Sequence, residues 1–351
     1  MTVPEPSTGG SSLFSSGPVA AGSPLASFLA DEILRDRLGV ECPRPRFQLT
    51  RIGDSAVLRC DEARTGLSLA LKSYGLKWID GRQGAGDRHA LRARLMRQEF
   101  QGIRLVRRLG LDRPPLRAVR PLAVNSELGC LLVEEFVSGD DLYAAIRDAA
   151  LEGAHAELDG ALAAVARFLA MLHDRSPTGP PDDGREPVAY LEKITRQLLA
   201  WRVITLSQAE DLRRLQRTWR ADGVLTGAPE VLVHGDATPT QFLFGDDGLV
   251  VIDFEKLHHA DRAADIGRLA GELKHLFARS TEDAWASEPH IQSFYREYHR
   301  AAVPEAGDFG SLTERARFHM GCSELRIARN PWEEIGHRRW LTREAMRCLT
   351  R

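Results

Sequence analysis

Short apolar runs of strand length fill the first part of the chain, and longer runs with helical spacing fill most of the rest. In residues 47–74, FQLTRIGDSAVLRCDEARTGLSLALKSY, three short runs are separated by the turn-rich breaks IGDS and DEARTG, which predicts three strands of an antiparallel sheet. Two later runs, RAVRPLAVN and CLLVEEFV, predict two further strands, and SGDDL after the second marks a turn into a helix. Upstream, Ser23 as N-cap, Pro24 at the first helical position and Gly39 as stop bound a short amphipathic helix. After the third strand a Gly-rich loop at 75–87 ends in Asp87, a suitable N-cap, and a helical pattern runs from 89 to 109, where Gly110 terminates it. From SGDDL to Asp222 the chain is mostly helical; LAAVARFLAMLH is its strongest amphipathic segment and 177–187 is a Pro/Gly/Asp-rich break. A strand–loop–strand follows at 231–253, then helices to the end. The pattern is α+β, with a sheet-rich first part and a mainly helical second part.

A chain of 351 residues exceeds what one core usually serves and predicts about two lobes. Hydrophobic residues at 43%, charged residues at 27% and a net charge of −2 give no reason to expect nucleic acid or a membrane surface as partner. The five cysteines are far apart and form no C-x-x-C pair, which argues against a disulfide framework or zinc site and fits a reducing, cytoplasmic setting. No segment reaches 18 apolar residues, and the N-terminus, lacking a basic region and a continuous apolar run, predicts a disordered tail over 1–22. Only five of the 47 basic residues are lysines, so a lysine in a chemically suggestive place carries extra weight.

The chemistry concentrates in HGDATPTQFLF and LVVIDFE. Asp236 follows an apolar run, Gln241 comes five residues later, and Asp253 ends the next strand run, seventeen residues after Asp236. Two carboxylates and a carboxamide at one loop mouth are the hard oxygen donors that suit Mg²⁺ with substrate phosphates, and an acid that is not a ligand is available to hold or deprotonate a hydroxyl. Taken singly, Asp236 is an ordinary turn residue and Asp253 an ordinary strand end.

These segments resemble the aminoglycoside phosphotransferase and choline kinase group of small-molecule kinases, over roughly residues 45–350. The resemblance implies a protein-kinase-like bilobal fold: a small N-terminal antiparallel sheet lobe with one key helix, at 23–137, that binds nucleotide, and a larger, mostly helical C-terminal catalytic and substrate lobe at 138–351. The group's catalytic loop reads H-G-D-x-x-x-x-N with a downstream I-D; this chain matches at His234, Gly235, Asp236 and VIDFE and departs at Gln241, where the group has Asn. The match implies Asp236 as catalytic base, Asp253 with Gln241 as Mg²⁺ ligands, and ATP as phosphoryl donor. It also implies support roles for His234, which orients the loop, and for Asp265 in DRAADIGRLAGELKH, which braces it.

Phosphoryl transfer on such a fold needs a strand lysine for the α/β-phosphates and a helix glutamate to hold it. LALK ends the third strand with Lys72, similar to the V-A-I-K strand of protein kinases. Glu99 in the next helix has no cation at i±3 or i±4, so its partner is expected to be tertiary. Gly53 and Ser55 in IGDSAV are candidates for a phosphate-covering loop, though a plain hairpin turn explains them as well. VEEFV takes the place of the hinge, where backbone atoms of Glu135 and Val137 would meet adenine.

Several motifs are decoys. DFG at 308–310 follows PEAG rather than a strand and reads as a turn and helix N-cap, and GDSA at 53–56 lacks the late D-x-x-H that a GDSL hydrolase needs. His258 and His259 read as surface or substrate-side residues, since the eleven histidines show no zinc spacing. Three readings stand: a small-molecule kinase acting on a hydroxyl, a nucleotide-binding pseudokinase with a regulatory role, and a protein kinase, the last opposed by H-G-D in place of H-R-D and by the lack of A-P-E. The Arg-rich helices at 188–222 and 288–349 point to a hydroxyl-bearing acceptor that is neutral or carries an anion.

Overall fold

The computed structural model describes residues 15–53, 56–75, 85–281, 283, 285–303 and 307–350. They group into two compact units, Met1–Arg108 with Ala118–Ser138, and Leu109–Arg117 with Gly139–Arg351. The fold is α+β and protein-kinase-like, a small sheet unit and a larger helical one.

The first unit is a six-stranded antiparallel sheet in the order Gly17–Pro18, Phe47–Arg51, Val57–Glu62, Ser68–Ser73, Leu131–Glu135, Pro121–Asn125. Alternation decides its faces. Phe47, Leu49, Leu58, Cys60, Leu69 and Leu71 form one core with Leu25, Leu29 and Ile33 of the preceding helix. That helix begins as predicted, with the Ser23 hydroxyl accepting from Ala26 N at 3.2 Å, but from Phe28 to Arg37 it winds as a π-helix. The wider turn keeps the i, i+4 series Leu25, Leu29, Ile33 on one line against the sheet.

Three expectations change in this unit. The predicted tail at 1–22 contains a strand: Gly17 and Pro18 pair with Leu49 and Gln48, and Val19 N donates to Phe47 O at 2.9 Å. Two residues are too short for a periodic signal, and Pro18 is tolerated because the pairing is at a sheet edge. The long helix spans Ala85–Arg108, so Asp87 lies in its first turn, where an acid suits the helix dipole, rather than at the N-cap. Finally, 117–125 is not one strand. Leu116–Ala118 joins a sheet with the strand Gly248–Val251, and only Pro121–Asn125 pairs with Leu131–Glu135, so the segment 109–117 groups with the second unit rather than with the lobe predicted at 23–137.

The second unit is helical apart from short strands. Glu230–Val233 pairs antiparallel with His258–Asp261, and Phe242–Gly245 with Gly248–Val251. The turn at Asp246 and Asp247 thus splits the second predicted strand into a hairpin, and His258 and His259 sit exposed on a strand not foreseen in the sequence. Helices Ala263–Thr281 and Phe309–Ala328 pack backbone to backbone: a Cβ at Gly267 would overlap Ala316 O, and one at Gly271 would lie 2.7 Å from Ser323 Cβ. Buried Lys274 ties three helices together, with Nζ 2.6 Å from Glu344 Oε1 and 2.7 Å from Glu288 Oε1. Asp308 of the DFG decoy caps a helix, accepting from Ser311 N at 2.9 Å. Among the described residues no helix is long and apolar enough to cross a membrane.

Candidate active site

The His-Gly-Asp triplet leaves a fully buried strand end, Val231–Val233, and turns sharply. Gly235 has φ +76°, and a Cβ there would run into Lys256 O, so the turn requires glycine. His234 is buried with both ring nitrogens occupied: Nε2 donates to Ile252 O at 3.0 Å and Nδ1 accepts from Asp236 N at 3.3 Å. Both bonds stay within the loop and the adjoining strand end, so neither nitrogen is open to a substrate.

Asp265 is the brace beneath. Its Oδ2 accepts from His234 N at 2.7 Å and from His173 Nε2 at 3.2 Å, and its Oδ1 from Gly235 N at 2.9 Å. Burial alone would raise its pKa; the His173 bond, nearby His234 and the amide donors outweigh it and hold the carboxyl below the usual carboxylate range. His173 Nδ1 in turn accepts from Tyr298 OH at 2.8 Å, which accepts from Arg262 at 3.2 Å, and Arg262 pairs with Asp174 at 2.8 Å. Each buried side chain in this relay, from Asp265 through His173 and Tyr298 to Arg262, therefore has a partner.

Asp236 carries two cations. Lys256 Nζ lies 2.6 Å from Oδ2, while Arg268 reaches Oδ1 with Nη2 at 2.5 Å and Nε at 3.1 Å. Burial pushes this carboxyl up, but Arg268 and Lys256 pull harder and its pKa ends below the usual value. Neither cation was singled out in the sequence. The scarcity of lysine was a usable signal for Lys256, and Arg268 stands one turn after Asp265 on the same helix.

Gln241 and Asp253 are brought together by the hairpin. Ile252 N donates to Gln241 O at 3.0 Å while Ile252 O receives His234, so Asp253 begins beside both the catalytic-type loop and Gln241. Asp253 adopts the left-handed conformation, φ 63° and ψ 61°, an uncommon choice for a residue with a side chain and one that recurs at functional sites. Among the described residues the Gln241 amide nitrogen reaches the Thr238 and Thr240 hydroxyls, each at 3.5 Å. The backbone pairing puts these two positions next to each other, and a carboxylate and a carboxamide are both oxygen donors of the kind that suit Mg²⁺.

In the first unit, Lys72 and Glu99 meet across 2.8 Å, 6% and 0% exposed, and the Tyr74 hydroxyl bonds the other Glu99 oxygen. Gly53 has φ +54° in its turn, and Ser55 lies outside the described residues. Glu135 pairs with Leu69, its N–H donates to Arg120 O at 3.0 Å, and Val137 follows the strand end, half-buried.

Gly235, Lys256 and Arg268 also line a cleft of about 680 Å³ in the second unit, together with Tyr190, Arg326 and Arg329. The basic run at 213–220 does not reach it, and carboxylates, among them Asp182, Glu186 and Glu230, share its wall. The cleft is therefore mixed in charge rather than uniformly basic.

A chain with this fold and loop defines a phosphotransferase class, and the sequence agrees: residues 34–311 match the phosphotransferase enzyme family (APH), and the chain belongs to that family. Similar solved structures include a Plasmodium vivax ethanolamine kinase (TM-score 0.56, 14% identity, covering 92% of this chain and 86% of that one). A putative fructosamine-3-kinase from Haemophilus somnus gives TM-score 0.55, 11% identity, and 89% and 95% coverage. A choline kinase from Streptococcus pneumoniae gives TM-score 0.52, 13% identity, and 86% and 93% coverage. Identities this low establish the fold alone. No curated protein sequence matches the chain.

Proposed function

We propose that the protein transfers the γ-phosphate of ATP to a hydroxyl of a small molecule, with Asp236 as the base. The observation that carries this reading is the placement of Asp236: its loop is braced by Asp265, and its preceding glycine and both cationic partners line the cleft. Lys256 is half exposed while the Arg268 side chain is 15% exposed, so an incoming hydroxyl displaces Lys256 from Oδ2 and leaves Arg268 on Oδ1. The acceptor's proton passes to Oδ2 as its oxygen bonds phosphorus and the bond to ADP breaks. Asp253 and Gln241 would hold Mg²⁺, which when bound would supply the charge neutralisation that the phosphates need. Residues 23–137 act as the nucleotide lobe, with Lys72 on the phosphates and Glu99 and Tyr74 fixing it, Gly53 and Ser55 covering the phosphates, and backbone of Glu135 and Val137 meeting adenine. Residues 138–351 act as the catalytic and substrate lobe.

The acceptor is hydroxylated and neutral or partly anionic, its anionic part directed to Lys193 and Arg329 on the cleft wall. A screen of hydroxyl compounds with Mg·ATP, read by ADP release, tests the proposal beside Asp236→Asn. Turnover that is unaffected in the variant removes Asp236 from the chemistry. A second reading, a nucleotide-binding pseudokinase, is favoured by the double occupation of Asp236 and by Gln241 in place of Asn. Absence of turnover with every acceptor, combined with Mg²⁺-independent ATP binding, would decide for it.

A further inference from the structure

Beyond the hydroxyl-phosphorylating site, the second unit brings together a different set of ligating groups. His275 comes from helix Ala263–Thr281, His337 from helix Ile335–Leu349, and Glu333 from the turn just before that helix. His275 Nδ1 and His337 Nε2 face each other at 2.8 Å, and Glu333 Oε1 lies 3.9 Å from the other nitrogen of His275. One ligating atom from each of the three lies within 4.8 Å of the other two. His275 and Glu333 have side chains only 6% and 8% exposed, and the His337 ring stacks on Trp340 with planes 13° apart, so the three groups are held rather than waving in water.

Two neutral imidazoles at this distance share one N–H in an N–H···N bond, and a metal in place of that proton would use the same two nitrogens. A neutral imidazole keeps one unprotonated nitrogen, the form in which histidine ligates a metal. Neutral nitrogens plus one carboxylate form the ligand set of open tetrahedral zinc sites, which keep the fourth position for water. A tetrahedron with bonds of about 2.0–2.1 Å separates its ligands by about 3.3 Å, so the rings need to part by roughly half an ångström. We infer that His275, His337 and Glu333 form a binding site for a borderline divalent cation such as Zn²⁺, joining two helices and the turn that precedes the second of them. Mg²⁺ does not compete at such a site, because it prefers oxygen ligands and octahedral geometry. The spacing of 58 and 4 residues between the ligands shows why no sequence motif announces it.

The test uses the full chain, stripped with a chelator and titrated with Zn²⁺ and with Co²⁺ in millimolar Mg²⁺. One equivalent should bind, Co²⁺ should give the visible absorption of a low-coordinate nitrogen–oxygen site, and the melting temperature should rise. His337→Ala and Glu333→Gln, both less buried or milder changes than His275→Ala, should each weaken Zn²⁺ at least about tenfold, a loss typical of damage to a metal's ligand shell. Cys348→Ser, which alters a separate buried group of Glu324, Glu344 and Cys348, should leave binding unchanged, as should Asp253→Asn. Failure to bind one equivalent overturns the inference. So does binding that survives His337→Ala and Glu333→Gln, or that disappears in Cys348→Ser.

Discussion

Arg268 places two guanidinium nitrogens, Nη2 at 2.5 Å and Nε at 3.1 Å, on a single oxygen of Asp236. The other oxygen holds the more exposed Lys256. One cation is thus held more deeply against the carboxylate than the other, and in the proposed reaction the exposed one gives way to the acceptor.

That asymmetry separates two variants. Lys256→Met should keep the chain folded and retain turnover within about tenfold. Arg268→Met should free Oδ1 to rotate and lower turnover more. With both cations pulling its pKa below the usual carboxylate range, Asp236 is ionised throughout neutral pH, so the acid limb of the rate profile should lie low and move upward in Arg268→Met. Asp236→Asn should cost on the order of 10²- to 10⁴-fold in turnover while ATP binding stays nearly intact. The readout is pH-dependent ADP release; an acid limb unmoved in Arg268→Met counts against the assignment.

Lys72→Met should weaken ATP binding and also remove the ion pair of Lys72 with the fully buried Glu99. Lys72→Met combined with Glu99→Gln should recover stability but not nucleotide affinity. Denaturant unfolding and ATP titration of the single and double variants separate the structural cost from the binding role.

Gln241→Asn should retain turnover within about tenfold, or about 1.4 kcal/mol in the barrier, because its amide is only loosely held at 3.5 Å and the shorter side chain keeps the same oxygen donor. Gln241→Leu should lose Mg²⁺-dependent ATP binding. Equal Mg²⁺ dependence in wild type and the Leu variant would remove Gln241 from the ligand set.

Asp265→Ala strips a buried carboxylate from two backbone amides and His173, and should cost on the order of 3 kcal/mol. The sign of the pH effect follows from the lowered folded-state pKa of Asp265 and Asp236. Such groups stabilise the fold above the unfolded value, about 3.9, and lose that contribution as pH falls through the depressed value. Wild-type stability should therefore drop below about pH 4, and Asp265→Asn should flatten that dependence. Urea unfolding between pH 2 and 7 measures both.

The juxtaposition of His234, Asp236 and the strand end before Asp253 was legible because these residues are close in the chain, within one strand–loop–strand segment. Lys72 and Glu99 were legible for another reason, since a glutamate on an apolar helical stripe without a helical partner calls for a distant cation. Arg268 was hidden because its only distinction is a partner 32 positions away, in a helix where arginine otherwise looks like a solvated charge. The split of 117–125 between two sheets was hidden too, because alternation reports that a run is extended and says nothing about which neighbour it pairs with. The two-residue strand at Gly17–Pro18 was below the length at which any period exists.

The backbone contact of Gly267 and Gly271 with the Phe309–Ala328 helix has a consequence in time rather than in space. The helix carrying Asp265 and Arg268 cannot roll without collision, so the surroundings of Asp236 are set when this unit folds and do not wait for substrate. The entropy of ordering that loop then belongs to folding, and turnover begins from a loop already in register. Gly271→Ala, whose new Cβ would press on Ser323 rather than on Asp236, should on this view reduce the fraction of active molecules while leaving the rate of each surviving molecule nearly unchanged.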